Sequence, residues 1–456
     1  MKTTLLGPAA LVAFSACASV TPKQDFDEVR QLVKERGGAA IHWDQASAAD
    51  EQVRAKVTAL LAGTLTPDSA VQVALLRNQG LVAIYEDLGI AQADLVQAGL
   101  LKNPTVSGRI GFSTKGLVSD SLAVSEDFLD LLTLPMRQSL AEAQLQAAKA
   151  RVANAVLDVS AQVKSSVIAL QGAQATAQVR KLVLDAQRLA AELRRRQHKA
   201  GNVGDLELLQ EESFYQQGKL ELARSELQAL EARERLNRLL GVWGPESATW
   251  KVEDRLPDLP DADPDLSHLE TLAIERRLDL AAARSEAEAL EKAASVAGLT
   301  RAVPSFKAGI STEKDAEGTR TTGPTLELEL PLFDLGRAGA ARALAQLRQA
   351  RARQADLAVG IRAEVRSLRS RLAGARGVAD HYRKTLLPLR ERLLRESQLR
   401  YNSMLLGVFQ LLLARREQSD AYRDYLDSVR DYWTTRYELE RASGGSLTVA
   451  AQESKP

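Results

Sequence analysis

From Met136 to Ala200 the chain contains no proline and no pair of glycines, and its apolar residues fall into one seam. Val152, Val156, Val159, Val163, Val167 and Leu170 are spaced four, three, four, four and three. That alternation keeps one stripe of a helix turned towards a partner helix. About 65 residues at ~1.5 Å rise make a rod of about 100 Å, well beyond the ordinary globular helix. A seam of that length needs a partner along the whole of it.

The partner follows directly. Gly201-Asn202-Val203-Gly204-Asp205 reverses the chain, and a second helix returns from Leu206 to Leu240, where Gly241 and Pro245 end it. The pattern recurs further on. From Ala338 there is no proline until Pro388, and Ile361, Val365, Leu368 and Leu372 repeat the four-three-four spacing. Met404-Leu405-Leu406-Gly407-Val408 forms the second reversal, and Phe409, Leu412, Leu426, Val429 and Trp433 mark the return helix. A composition rich in Ala, Leu, Arg, Glu and Gln with only 4% aromatic residues agrees with long coiled helices.

A different period precedes each long helix. Val106, Gly108, Ile110 and Phe112 alternate with Thr105, Ser107, Arg109 and Gly111; Phe306, Ala308 and Ile310 alternate with Ser305, Lys307 and Gly309; Leu326, Leu328 and Leu330 alternate with Glu327 and Glu329. Strict alternation predicts strands with one apolar and one wet face. Gly116 and Ser119-Asp120-Ser121 read as the first hairpin turn, with Leu122 to Leu129 returning and Pro135-Met136-Arg137 opening the helix. Before the strands, Thr66-Pro67 starts a helix that runs towards Leu101, and Ser267 to Ala297 forms its counterpart. Pro104 and Pro304 are two hundred residues apart. An offset this long predicts two similar halves rather than a solenoid of ~20–50-residue units. They cover 67–245, with its hairpin at 104–134 and tip at 201–205, and 267–442, with its hairpin at 304–332 and tip at 404–408. The Asp/Pro-rich stretch 246–266 reads as a linker, and 443–456 as a disordered tail.

The first residues read as a targeting segment: Lys2, the apolar run Leu5 to Phe14, and Ser15-Ala16 before Cys17, the chain's single cysteine. One cysteine excludes a disulfide within the chain. No later run approaches the ~20 apolar residues of a membrane-spanning helix, so a membrane-crossing form would have to use strands. A net charge of +1 implies no polyanionic partner, and no nucleic acid.

Pro331-Leu332-Phe333-Asp334-Leu335-Gly336-Arg337 closely resembles the strand-to-helix junction of the TolC-type outer membrane efflux proteins. The order of elements resembles that family over nearly all of the chain after Cys17. The resemblance implies a mainly α fold with a small β part. Long coiled-coil hairpins would accompany four strands per protomer, and three protomers would share one twelve-stranded transmembrane barrel. It implies an outer membrane channel of a tripartite efflux or export system, a homotrimer working with a periplasmic adaptor and an inner-membrane pump. Residues 1–16 resemble a lipoprotein signal, with 17–66 an N-terminal segment after a lipidated Cys17. Ala18 after the cysteine favours the outer membrane.

In the family the two tips meet the adaptor and close the tunnel, which assigns contact roles to Gly201, Asn202, Val203, Gly204, Asp205, Met404, Leu405, Leu406, Gly407 and Val408. Arg109, Lys307, Glu327 and Glu329 would face the lumen. The second tip departs from the commoner pattern: Met404 stands where glycine is frequent, and Gln410 and Leu413 where some members carry acids. Asp205 and Glu207 could supply a weaker acidic gate, and Asp205 could equally be a helix N-cap. The basic run Arg194-Arg195-Arg196 with His198-Lys199 suits an adaptor contact or simple helix-dipole complementation.

Nothing in the sequence suggests catalysis. His42, His198, His268 and His381 are scattered, with no metal-ligand spacing, and no phosphate loop or nucleophile–base set is present, so neither a cofactor nor an enzyme is expected. The rival reading is a periplasmic coiled-coil lipoprotein acting as scaffold or adaptor, which has no use for two matched amphipathic hairpins.

Overall fold

The computed structural model describes residues 23–43, 48–114, 116–263, 266, 268–300, 305–315, 317–333 and 335–447. Cys17, the signal segment, Pro304, Asp334 and residues 448–456 lie outside them. The first elements are α1 (Lys23–Glu35), α2 (Ala48–Ala62) and a short β1 (Thr64–Leu65). At α3 (Pro67–Arg77) the Thr66 hydroxyl accepts the Ser69 N–H at 3.2 Å, and the Ser69 hydroxyl accepts the Thr66 N–H at 2.8 Å. This reciprocal capping box satisfies two donors that the first turn leaves free.

The expected single helix from Thr66 to Leu101 is broken at Asn78, which is extended (φ −67°, ψ 112°) before α4 (Gln79–Gly99) resumes. The Asn78 side-chain oxygen accepts the N–H groups of Gly80 and Leu81, and its amide donates to the Leu239 carbonyl at 2.8 Å. A long-range partner holds this break, so local periodicity does not show it.

Strands β2 (Thr105–Ser113) and β3 (Gly116–Asp127) form the first hairpin. Its turn is tighter than expected: Ser119, Asp120 and Ser121 belong to β3, opposite Gly111, Ile110 and Arg109. Helix α5 (Phe128–Lys199) starts directly at the strand end, where Asp127 Oδ1 accepts the Leu129 N–H at 3.1 Å. Pro135 therefore lies inside the helix instead of opening it. Its missing N–H leaves the carbonyl four residues earlier without a helical donor.

Helix α6 (Asp205–Leu240) ends at left-handed Gly241 (φ 66°). The segment expected to be an irregular linker contains α7 (Glu246–Thr249) and β4 (Lys251–Val252), and β4 pairs in parallel with β1. Trp250 is buried there. Its indole N–H donates to Asn237 Oδ1 at 2.9 Å, and the Arg233 guanidinium lies over its ring. Next come α8 (Leu269–Arg276) and α9 (Leu278–Thr300), separated by extended Arg277 (φ −66°, ψ 124°) where one helix was expected.

Strands β5 (Phe306–Lys314) and β6 (Arg320–Leu328) precede α10 (Arg337–His381). One π-helical turn, Tyr382–Leu386, then separates α10 from α11 (Leu387–Asn402), with the Leu387 N–H reaching the Tyr382 carbonyl. The seam spacing gives no sign of this turn; Pro388, which cannot donate, is its one sequence mark. Helix α12 (Val408–Ala442) closes the series.

The chain divides into two compact units. One comprises the described parts of Met1–Glu28, Glu86–Ala150 and Ala282–Gln354. It holds a four-stranded antiparallel sheet in the order β2-β3-β5-β6. Buried Lys149 is held there by Asp25 and Glu28, at 2.7 and 2.6 Å.

The other unit comprises the described parts of Val29–Tyr85, Arg151–Ala281 and Ala355–Pro456. The seam residues Val152, Val156, Val163, Val167 and Leu170 are buried in it. Ile361, Val365, Leu368 and Leu372 join Val429, Tyr432 and Leu439 in its core. Residues 443–447 are packed rather than tail-like: Ser443 and Leu447 are buried, and the Ser446 N–H donates to the Arg36 carbonyl at 3.0 Å.

Candidate functional site

The sheet is two-faced, and cross-strand register fixes which residue lies on which face. Val106, Val124, Ile310 and Pro324 occupy one row, and Ala308 and Leu326 pair on the same side. Arg109, Ser121, Glu313 and Thr321 occupy a row on the opposite side. Lys307 pairs with Asp127 and Glu327 on that side, its ammonium 3.6 Å from the Glu327 carboxylate. Three of the four residues expected to share a wet face are thereby brought onto one face. Glu329 lies just past β6 in the same alternation, its N–H donating to the Ser305 carbonyl.

The apolar face is bare, with Ile310 64% and Leu326 75% exposed. The outer edges of β2 and β6 have no partner strand in the described chain. Exposed apolar faces and open edges of this kind are what a water-soluble chain avoids. Among the described residues no helix is long and apolar enough to cross a membrane, and no group of three His, Cys, Asp or Glu could hold a metal ion.

The two tip turns share one backbone design. In the first, Gly201 is left-handed (φ 73°), its N–H reaches the His198 carbonyl, and the Asn202 N–H reaches the Gln197 carbonyl at 2.9 Å. In the second, Met404 (φ 59°) reaches Tyr401 and Leu405 reaches Arg400 at 2.8 Å. Both are helix terminations whose two hydrogen bonds satisfy last-turn carbonyls. Gly204 and Gly407 are the extended N-caps of the return helices. Asp205 is therefore not the cap; its carboxylate accepts from His198 Nε2 at 2.7 Å, tying the two sides of the turn together.

Gln410 accepts the Gly407 N–H at 2.8 Å through its side-chain oxygen and completes that helix start. Val203, Leu406 and Val408 are half-buried, while Asn202, Met404 and Leu405 project into solvent. The basic run before the first tip is largely paired within its own hairpin. Arg195 meets Glu212 through two nitrogens, Arg196 meets Glu192, and Arg194 donates to Gln197.

A charge network that no motif announced holds the other unit's core. Arg277, 8% exposed, donates to Asp279 at 2.6 and 3.0 Å and to Glu364 at 2.5 Å, while Arg441 also binds Glu364 and approaches Asp158. Burial pushes the Asp158 carboxyl up, against the pull of Arg441. Its members come from α5, α9, α10, α12 and the α8–α9 break, so sequence spacing carries no signal for it.

An antiparallel sheet with one bare apolar face, feeding helices as long as α5, together with two capped hairpin tips, defines the fold of a TolC-type outer membrane channel. Comparisons with known proteins show similarity to chains of that fold. The cobalt-zinc-cadmium resistance protein CzcC of Cupriavidus metallidurans is 22% identical over 395 residues, covering 84% of this chain and 91% of that protein. Among solved structures, the outer-membrane channel OprN matches with a TM-score of 0.70 at 20% identity, over 87% of this chain and 92% of its own. The outer membrane protein VceC from Vibrio cholerae matches at 0.67 and 17%, over 87% and 97%. No family model matches the chain. At these identities the structural likeness establishes the fold, and it agrees with the resemblance carried by Pro331 to Arg337.

Proposed function

We propose that this chain is the outer membrane channel of a tripartite efflux or export system, a passive exit duct through which an energised partner drives solutes. The observation that carries this reading is the sheet, with Val106, Val124, Ile310 and Leu326 bare on one face and Arg109, Lys307, Glu313 and Glu327 on the other. A face of this kind suits lipid outside and water inside. Four strands cannot close a barrel alone, and open strand edges are not tolerated in lipid. Three copies joined β6 to β2 would close twelve strands.

In this reading the two halves, 67–245 and 267–442, are structural repeats. Arg109, Lys307, Glu327 and Glu329 line the lumen, and the tip turns 201–205 and 404–408 meet a periplasmic adaptor. Cys17 carries the lipid anchor. The duct does no chemistry.

The deciding experiment is the mass of the detergent-extracted protein, with the detergent contribution subtracted. Three copies per particle, insoluble without detergent and heat-modifiable on gels, support the duct. A water-soluble monomer or dimer overturns it and leaves the coiled-coil scaffold.

A further inference from the structure

Within the unit that holds the tip turns, α5 and α6 on one side and α11 and α12 on the other line a half-open cavity of about 350 Å³. That is within the ~300–1,000 Å³ range of small-molecule sites. Its walls are mainly apolar, with Phe214, Phe409, Leu412 and Tyr422 among them, and the rings of Phe214 and Phe409 are 6.3 Å apart. One buried ionisable side chain lines it. Glu211 is 5% exposed, and among the described residues no hydrogen bond or ion pair reaches its carboxylate. Burial pushes that carboxyl up.

The other charges at the cavity are differently placed. Glu391 and Arg415 are exposed at its rim. Arg416 lies over the Phe214 ring and leans towards Asp420. Arg194 pulls on Glu211 electrostatically without pairing, its guanidinium bonded to Gln197. A nearly buried carboxylate with no ion-pair partner, at the wall of a mainly apolar cavity, carries a desolvation cost. A ligand cation on an apolar body would relieve that cost, because the charge meets Glu211 while the body displaces water from aromatic walls.

We infer that this cavity is a binding site for amphiphilic organic monoamines, with Glu211 as the counter-ion and the Phe214–Phe409 pair as the seat of the apolar body. A bound amine touches both helical hairpins at once and so links them. The site does not depend on the channel reading, because all its residues belong to one chain.

The test is titration of the full detergent-purified protein with 4-phenylbutylammonium, followed by calorimetry or ligand-observed NMR. 4-Phenylbutanol and 4-phenylbutyrate serve as charge controls. The amine is expected to bind saturably at one per chain, at least tenfold tighter than the alcohol. Glu211→Gln, which keeps the side chain's shape, should weaken the amine at least tenfold and leave the alcohol unchanged. Ala186→Phe, which fills the cavity from α5, should abolish both. Comparison in identical micelles removes the contribution of detergent partitioning.

Non-saturable uptake, equal binding by the Glu211→Gln protein, or equal binding of amine and alcohol would each overturn the proposal. A protein that proves to be a soluble monomer yet still binds the amine would refute the channel reading and leave this site standing.

Discussion

Met404 occupies, at φ 59°, the turn position that Gly201 holds at φ 73° in the other hairpin. One residue pays no steric cost in the left-handed region and the other does, although both make the same pair of hydrogen bonds to the preceding helical turn. The two tips therefore share a geometry without sharing its chemistry, and the second carries backbone strain at a solvent-exposed position (Met404 is 95% exposed).

That difference can be measured. Nothing lies within 4 Å of a Cβ added at Gly201, so Gly201→Ala should cost only the backbone term, about 1 kcal/mol. Met404→Gly should stabilise by a smaller amount, roughly 0.5 kcal/mol, because glycine also gains entropy in the unfolded chain. Denaturation midpoints of the two variants should move in opposite directions. Movement in the same direction would show that the turns are not equivalent.

The faces of the sheet make a second pair. Ile310 is on the bare apolar face and Ser311, its neighbour, on the polar one. Ile310→Lys should cost roughly 2–4 kcal/mol of membrane-inserted stability if it lies near the bilayer midplane, whereas Ser311→Lys should be nearly neutral. The amount of heat-modifiable protein in outer membrane fractions reads this out. Equal loss in both variants would argue against a lipid-facing side.

Arg277 offers a test of the buried network. Removing it by Arg277→Met strands Asp279, while Glu364 keeps Arg441, and breaking a buried pair of this kind costs roughly 3–5 kcal/mol. Combining it with Asp279→Asn should recover part of that loss, because the second change removes the carboxylate that the first left without a cation. Additive losses in the double mutant would exclude the coupling.

Glu440 sets a pH dependence. Burial pushes its carboxyl up from the ordinary 4.5, against the pull of Lys164 and Arg436 and with Asp68 adding to the rise. The folded state then holds this proton more tightly than the unfolded state. Its stabilising contribution is full below the unfolded value and is lost as pH rises through the folded one. Glu440→Gln should therefore be more stable than the native protein near pH 7, and the advantage should vanish by about pH 4. An advantage independent of pH would place its cause in packing instead of titration.

Much of this protein was legible because its elements are long and strictly periodic. The valine seam from Val152 to Val167, the alternation at Thr105 to Ser113, the Thr66-Pro67 start and the turn at Gly201 each state their structure within a few residues. The fold and the polar face of the sheet came from those patterns, with the strand-to-helix junction at Pro331 adding the family likeness. The breaks at Asn78 and Arg277, the helix running through Pro135, the pairing of β1 with β4 and the burial of Ser443 to Leu447 did not.

By itself the sequence determined period: which stretches are rods, which are strands, and where the chain reverses. Hydrophobic spacing is a local property, repeated every two or about three and a half residues, and it survives without knowledge of neighbours. Tertiary structure alone decided the rest, because each of those features depends on a partner distant along the chain. Asn78 bends away from its helix towards the Leu239 carbonyl, Arg277 is extended between Asp279 and Glu364, and Glu211 is an ordinary helix-surface residue until α11 and α12 close the far side of its cavity.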